Sequence, residues 1–152
     1  DPEGKFQRAN GAPKSGLEAF GNSRATLFSD IDGDGDLDIL ISNVIAAPTL
    51  LRNELPSGGS WLQIRLVHPT LSPVVGARVT LSAGGREHRR DVAGTPSYGG
   101  SSTSWIHFGL GAATEVENVV VRWPNGESQS LGTLAVNQRV RVPKPAPPTG
   151  TP

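Results

Sequence analysis

The chain of 152 residues contains no cysteine and no methionine. Without cysteine there is no disulfide framework, no zinc–thiolate site and no thiol nucleophile. A chain with no oxidisable sulfur is at home outside the cell. Net charge is missing too, because 14 Lys+Arg balance 14 Asp+Glu. Nucleic acid is therefore not an expected partner, since its binders carry a basic footprint. No polybasic stretch or amphipathic helical pattern suggests a membrane surface. No run reaches the ~18 apolar residues of a spanning helix, so membrane insertion is not expected. There is no N-x-Ser/Thr sequon. The first residue is Asp1 rather than Met, as expected of a trimmed chain.

What is present is punctuation. Only 36% of residues are apolar, against 19 Gly and 13 Pro. That composition disfavours long helices and suits short strands joined by tight turns. Residues 1–24 read as an extended segment, with at most one helical turn near Leu17–Phe20. A short apolar strand, 25–29, runs into an acidic loop, 30–38. A β-branched strand, 39–44, follows, and Thr49–Asn53 offers a third. Residues 25–55 thus form one hairpin-like β unit, and Pro56–Ser60 is a natural boundary.

Beyond that boundary the pattern is all-β. Leu62, Ile64 and Leu66 alternate onto one face, and Arg78 and Thr80 point away from theirs. The turn Ala83-Gly84-Gly85 leads to a polar return strand, 87–92. Residues 105–108 form a short strand, and Gly109-Leu110-Gly111 reads as a turn. A valine-rich strand, 116–123, meets Pro124-Asn125-Gly126, and 138–142 is the last strand. About six strands in 61–142 predict a small β-sandwich or barrel over 59–142. The tail 143–152 is Pro-rich and favours polyproline II.

The loop Asp30-Ile31-Asp32-Gly33-Asp34-Gly35-Asp36-Leu37-Asp38 carries the clearest chemistry. Ca²⁺ takes roughly six to eight oxygens at ~2.3–2.6 Å. Carboxylates at every second residue of a bent loop aim oxygens at one point. Asp30, Asp32 and Asp34 stand at positions 1, 3 and 5. Gly35 permits the bend. Asp36 would offer its backbone carbonyl, and Asp38 its side chain. The EF-hand alternative fails, because its twelfth position is Ile41 here and no helices flank the loop. Mg²⁺ suits the loop less well, since it prefers to keep its waters. Ca²⁺ is the expected ion, with Asp30, Asp32, Asp34, Asp36 and Asp38 as its ligands.

Ala25–Asn53 resembles an FG-GAP/VCBS repeat, through Phe20-Gly21, the DxDxDGxxD loop and Leu50-Leu51-Arg52-Asn53. Residues 59–142 resemble the ASPIC/UnbV domain of the cartilage acidic protein-like family. The matching words are 61–66, Gly76-Ala77-Arg78-Val79, 107–111 and 121–126. The resemblance implies a calcium-binding propeller blade ahead of a non-enzymatic β domain. It also implies an extracellular place and adhesion or matrix association. A lone blade leaves strand edges that recruit other strands. The expected partners are therefore other copies of the chain, in a filament or homo-oligomer completed by strand addition, or a matrix or cell-surface partner. The alternative is a carbohydrate-binding module of a secreted protein, with Trp105 or Tyr98 as its platform.

An enzyme is not expected. His68, His88 and His107 lack HxxxH or HExxH spacing, and Ser101-Ser102 lacks a nucleophile elbow. His107 reads as a packed side chain, and Arg86, Arg89 and Arg90 as a solvated face. Trp61, Trp105 and Trp123 read as core or interface packing.

Overall fold

A computed structural model describes residues 22–54, 59–68, 74–94 and 104–145. The extended segment before Asn22, Tyr98 and the end of the Pro-rich tail lie outside these residues. Strands β1 (Asn22–Ser29), β2 (Asp38–Val44) and β3 (Thr49–Leu51) form an antiparallel sheet in the order β1-β2-β3. The acidic loop is the connection between β1 and β2. Ser29 pairs with Asp38, and Asn22 with Val44.

The remaining strands build two further sheets. Strands β4 (Ser60–Val67), β7 (Ile106–Gly111) and β10 (Gln138–Pro143) lie in the order β10-β4-β7. β10 runs parallel to β4, with Gln63 opposite Arg139 and Arg65 opposite Arg141. Strands β5 (Arg78–Ala83), β6 (Arg86–Asp91), β8 (Glu115–Arg122) and β9 (Ser128–Ala135) form the antiparallel sheet β6-β5-β8-β9. These two sheets share one apolar core and form a small β-sandwich. One side supplies Leu62, Ile64, Leu66, Phe108, Leu110 and Val142. The other supplies Val79, Leu81, Val116, Val119 and Val121. The described fold is all-β.

The alternation of side chains explains most of this core. Leu62, Ile64 and Leu66 sit two apart on β4 and all point inward. β8 breaks the rule, because Val116 and Val119 are three apart and both buried. The register with β9 shifts between them, and Asn118 has a φ of 51°. This bulge resets the alternation so that Val119 and Val121 also face the core. Trp123 then caps the layer, and its indole Nε1 donates to Gln129 Oε1 at 3.1 Å.

Two expectations need correction. Residues 61–142 hold seven strands rather than about six, the additional one being β9. Its sequence is poor in β-branched residues and is broken by Gly132 at a φ of 68°. Gly109-Leu110-Gly111 is not a turn but the end of β7, with Leu110 in the core.

Candidate metal centre

The geometry of the acidic loop begins with Asp38. Its side chain is almost fully buried, with 1% of the residue exposed. Oδ2 accepts from Ile31 N at 2.8 Å and Oδ1 from Asn53 N at 3.0 Å. One carboxylate thus ties the start of the loop to the chain beyond β3. Within the loop Asp30, Asp32 and Asp34 each hold backbone further along. Asp30 Oδ1 accepts from Gly33 N at 2.7 Å, and Asp30 Oδ2 from Gly35 N at 3.1 Å. Asp34 Oδ1 accepts from Asp36 N at 3.0 Å. These Asx-type bonds bend the backbone into a ring around its carboxylates.

The bend brings Asp30, Asp32 and Asp34 together, with one carboxylate oxygen of each within 4.8 Å of the others. Asp36 lies beside this group. Its Oδ1 is buried and has no hydrogen-bond partner. Burial, and then the charges of Asp34, Asp38, Asp32 and Asp30, hold its carboxyl above the usual carboxylate range. A hard oxygen donor set with an orphaned buried carboxylate oxygen fits a divalent cation such as Ca²⁺. Asp30, Asp32 and Asp34 would hold it through side chains, and Asp36 through the unpartnered oxygen. Asp38, each of whose oxygens accepts one backbone N–H, would complete the set while closing the loop.

The loop also leans on the sandwich through residues that the sequence pattern does not single out. The Asp30 side chain is 1% exposed and forms an ion pair with Arg139 at 2.8 Å. Gln63 Nε2 donates to Asp30 Oδ2 at 2.7 Å, and Arg139 Nε donates to Gln63 Oε1 at 3.1 Å. Gln63 points away from the sandwich core, yet only 1% of it is exposed, because the loop covers it. Gly35 lies against the Trp61 indole, where a Cβ would come within 1.9 Å of Nε1. Arg52 adds an ion pair to Asp32. The one hint in the sequence is the alternation of β4, which turns Trp61 and Gln63 to the face opposite Leu62 and Ile64. Nothing local links Arg139 to the loop.

His107 lies on the same face. Its Nδ1 is 3.5 Å from Gln63 Nε2. Burial holds its pKa below the usual histidine value. Asp30 works against that shift, and Arg90 adds to it. Trp105 is covered by the guanidinium groups of Arg139 and Arg141, at 5.8 and 5.9 Å from the ring centroid. Arg90 lies over Phe108 at 5.7 Å. Arg86 and Arg89 are exposed, and Arg89 pairs with Asp91.

Residues 69–149 match the family model described as ASPIC and UnbV. Cartilage acidic protein 1 of Mus musculus is 29% identical over 136 residues, which cover 86% of this chain and 21% of the relative. Cartilage acidic protein 1 of Homo sapiens is 30% identical over 122 residues, covering 78% and 18%. The chain spans about a fifth of the length of these curated relatives.

Proposed function

The chain belongs to the ASPIC and UnbV family, and on that premise we propose that it is a non-enzymatic, extracellular, calcium-binding structural or adhesion module. The observation that carries the calcium reading is the convergence of Asp30, Asp32 and Asp34, with the buried, unpaired Oδ1 of Asp36 beside them. Five carboxylates in nine residues repel one another. Arg52 and Arg139 offset part of that charge, and a bound Ca²⁺ would offset the rest. The extracellular place is supported by the relatives, through the name cartilage acidic protein 1, and by the absence of Cys and Met.

The hairpin unit is read as a single FG-GAP/VCBS-like blade. Its support is that the loop joins adjacent antiparallel strands of a three-stranded sheet. The non-enzymatic reading rests on the sequence, which offers no nucleophile and base at a recognisable spacing. As partners we propose further copies of the chain or a matrix or cell-surface protein, met through the strand edges β1 and β3. The carbohydrate alternative loses Trp105 as a bare sugar-stacking platform, because two arginines lie over its ring.

Calcium binding is tested by thermal unfolding. Chelation is expected to lower the melting temperature and Ca²⁺ to restore it. At 100 times Kd the bound ion stabilises by about 2.7 kcal/mol. Asp32→Ala and Asp34→Ala are each expected to abolish the response. A melting temperature that ignores both chelator and Ca²⁺ removes the reading.

A further inference from the structure

The outer face of the sheet β10-β4-β7 carries charge that the calcium reading does not use. Arg65 and Arg141 are register partners on the parallel pair β4 and β10. Their side chains therefore leave the same face of neighbouring strands, about 4.8 Å apart. Like charges placed directly opposite each other repel. Among the described residues, no carboxylate pairs with either one. Arg139, two residues before Arg141, is held on Asp30, and Trp105 lies under both Arg139 and Arg141. The indole lies under two guanidinium groups on this face, and among the described residues Arg141 is exposed and Arg65 part-exposed. The rest of the chain favours the same chemistry, because eleven of its 14 cationic residues are arginine. The guanidinium fork binds oxyanions in two-point fashion and is weakly hydrated.

We propose that this face, at Arg65, Arg141 and Trp105, binds a sulfated polysaccharide. Three observations select that occupant. The two arginines stand side by side across neighbouring strands, one strand spacing apart, and among the described residues no carboxylate neutralises them, which suits a ligand with closely spaced anionic groups. Sulfate monoesters keep their charge at every physiological pH and present the oxygens that the fork accepts. A nucleic acid would gain little, since single strands bind by stacking bases on aromatic faces, and the Trp105 ring is already stacked by arginine. Neither Arg65 nor Arg141 pairs with a carboxylate of the acidic loop among the described residues; the loop meets the patch through Arg139, which is held on Asp30 and lies over Trp105.

The test is calorimetric titration of the whole chain with heparin at about 0.1 M salt, where charges an ångström-scale distance apart still act. The expected result is saturable binding that weakens with salt. In Arg65→Gln/Arg141→Gln binding is expected to fall at least tenfold, with the melting temperature held or raised because a repulsion is removed. Arg122→Gln, on the outer face of the opposite sheet, is expected to bind as the parent does. Arg65→Lys/Arg141→Lys keeps the charge and loses the fork, and is expected to bind more weakly than the parent. That pair also decides the matter if the glutamine pair fails to fold. Three results overturn the proposal: no binding of heparin by the parent chain, equal binding by the lysine and glutamine pairs and the parent, or equal binding of desulfated heparin. Binding of polyglutamate or of single-stranded RNA as tight as that of heparin overturns it in favour of an acidic protein or a nucleic acid.

Discussion

At Gly35 the backbone has a φ of +100°, and the room a side chain would need is filled by the Trp61 indole. Gly85 has a similar φ, +73°, but open space around it. The two glycines separate backbone strain from packing. Gly85→Ala is expected to cost about 1 kcal/mol, the ordinary penalty for an L side chain at positive φ. Gly35→Ala carries the same strain and must also push the loop off Trp61. It is expected to lower the melting temperature further and to weaken the calcium response, which Gly85→Ala leaves intact. Paired thermal melts with chelator and with Ca²⁺ read both effects. His107 gives a second check at this scale. Burial favours its neutral form, so the unfolded chain binds the proton more tightly than the folded one. Its contribution is fully present above the unfolded pKa of about 6.5 and is lost as pH falls through the folded value. Melting temperature is expected to drop as pH is lowered from 7 through that window. His107→Gln is expected to flatten this part of the profile.

Strands differ in how plainly their residues declare them. β4 and β5 are legible because one face is buried and the other is not, which imprints alternation on Leu62-Gln63-Ile64-Arg65-Leu66 and on Arg78-Val79-Thr80-Leu81. β9 is not, because Leu131 and Leu134 are only partly buried and Gly132 interrupts the run. The bulge at Asn118 is likewise silent in sequence, since Val119-Val120-Val121 fits either phase. The parallel pairing of β10 on β4 joins segments far apart in the chain, and no local pattern encodes it. The same division holds at the acidic loop. The spacing of its aspartates and the bend at Gly35 can be read directly. Arg139, Gln63 and Trp61 reach it only through tertiary folding. The β8–β9 pair has its own test in Trp123. This residue is 1% exposed and closes one end of the core. Trp123→Ala is expected to cost ~3–5 kcal/mol, a large part of the stability of a domain this size. Trp123→Phe keeps most of the volume and loses the bond to Gln129, so it should cost less. Urea midpoints at constant m-value would rank the two.

The molecule as a whole is unevenly buried. The core cluster draws every member from residues 62–142, and the sheet β1-β2-β3 contributes none. That sheet is apolar on both faces. Leu27, Leu40 and Leu50 align on one face, and Phe28, Ile39 and Leu51 on the other. Phe28 is 47% exposed and Leu50 49%. Two apolar faces, and edge strands β1 and β3 that pair with no further strand among the described residues, favour association with neighbours. In the self-association we propose, a second copy supplies one neighbour. Sedimentation in Ca²⁺ at micromolar concentration is expected to show dimers or larger species whose population rises with concentration. Phe28→Lys and Leu50→Lys place charge on opposite faces, and Leu50 lies on an edge strand. If copies add edge to edge at β3, Leu50→Lys dissociates them and Phe28→Lys has the smaller effect. If they stack face to face on the Phe28 side, the order reverses. Neither substitution touches the sandwich core or the loop carboxylates, so the calcium-dependent melting shift should survive in both. A parent chain that stays monomeric at every concentration would leave these faces to a different protein and end the self-assembly reading.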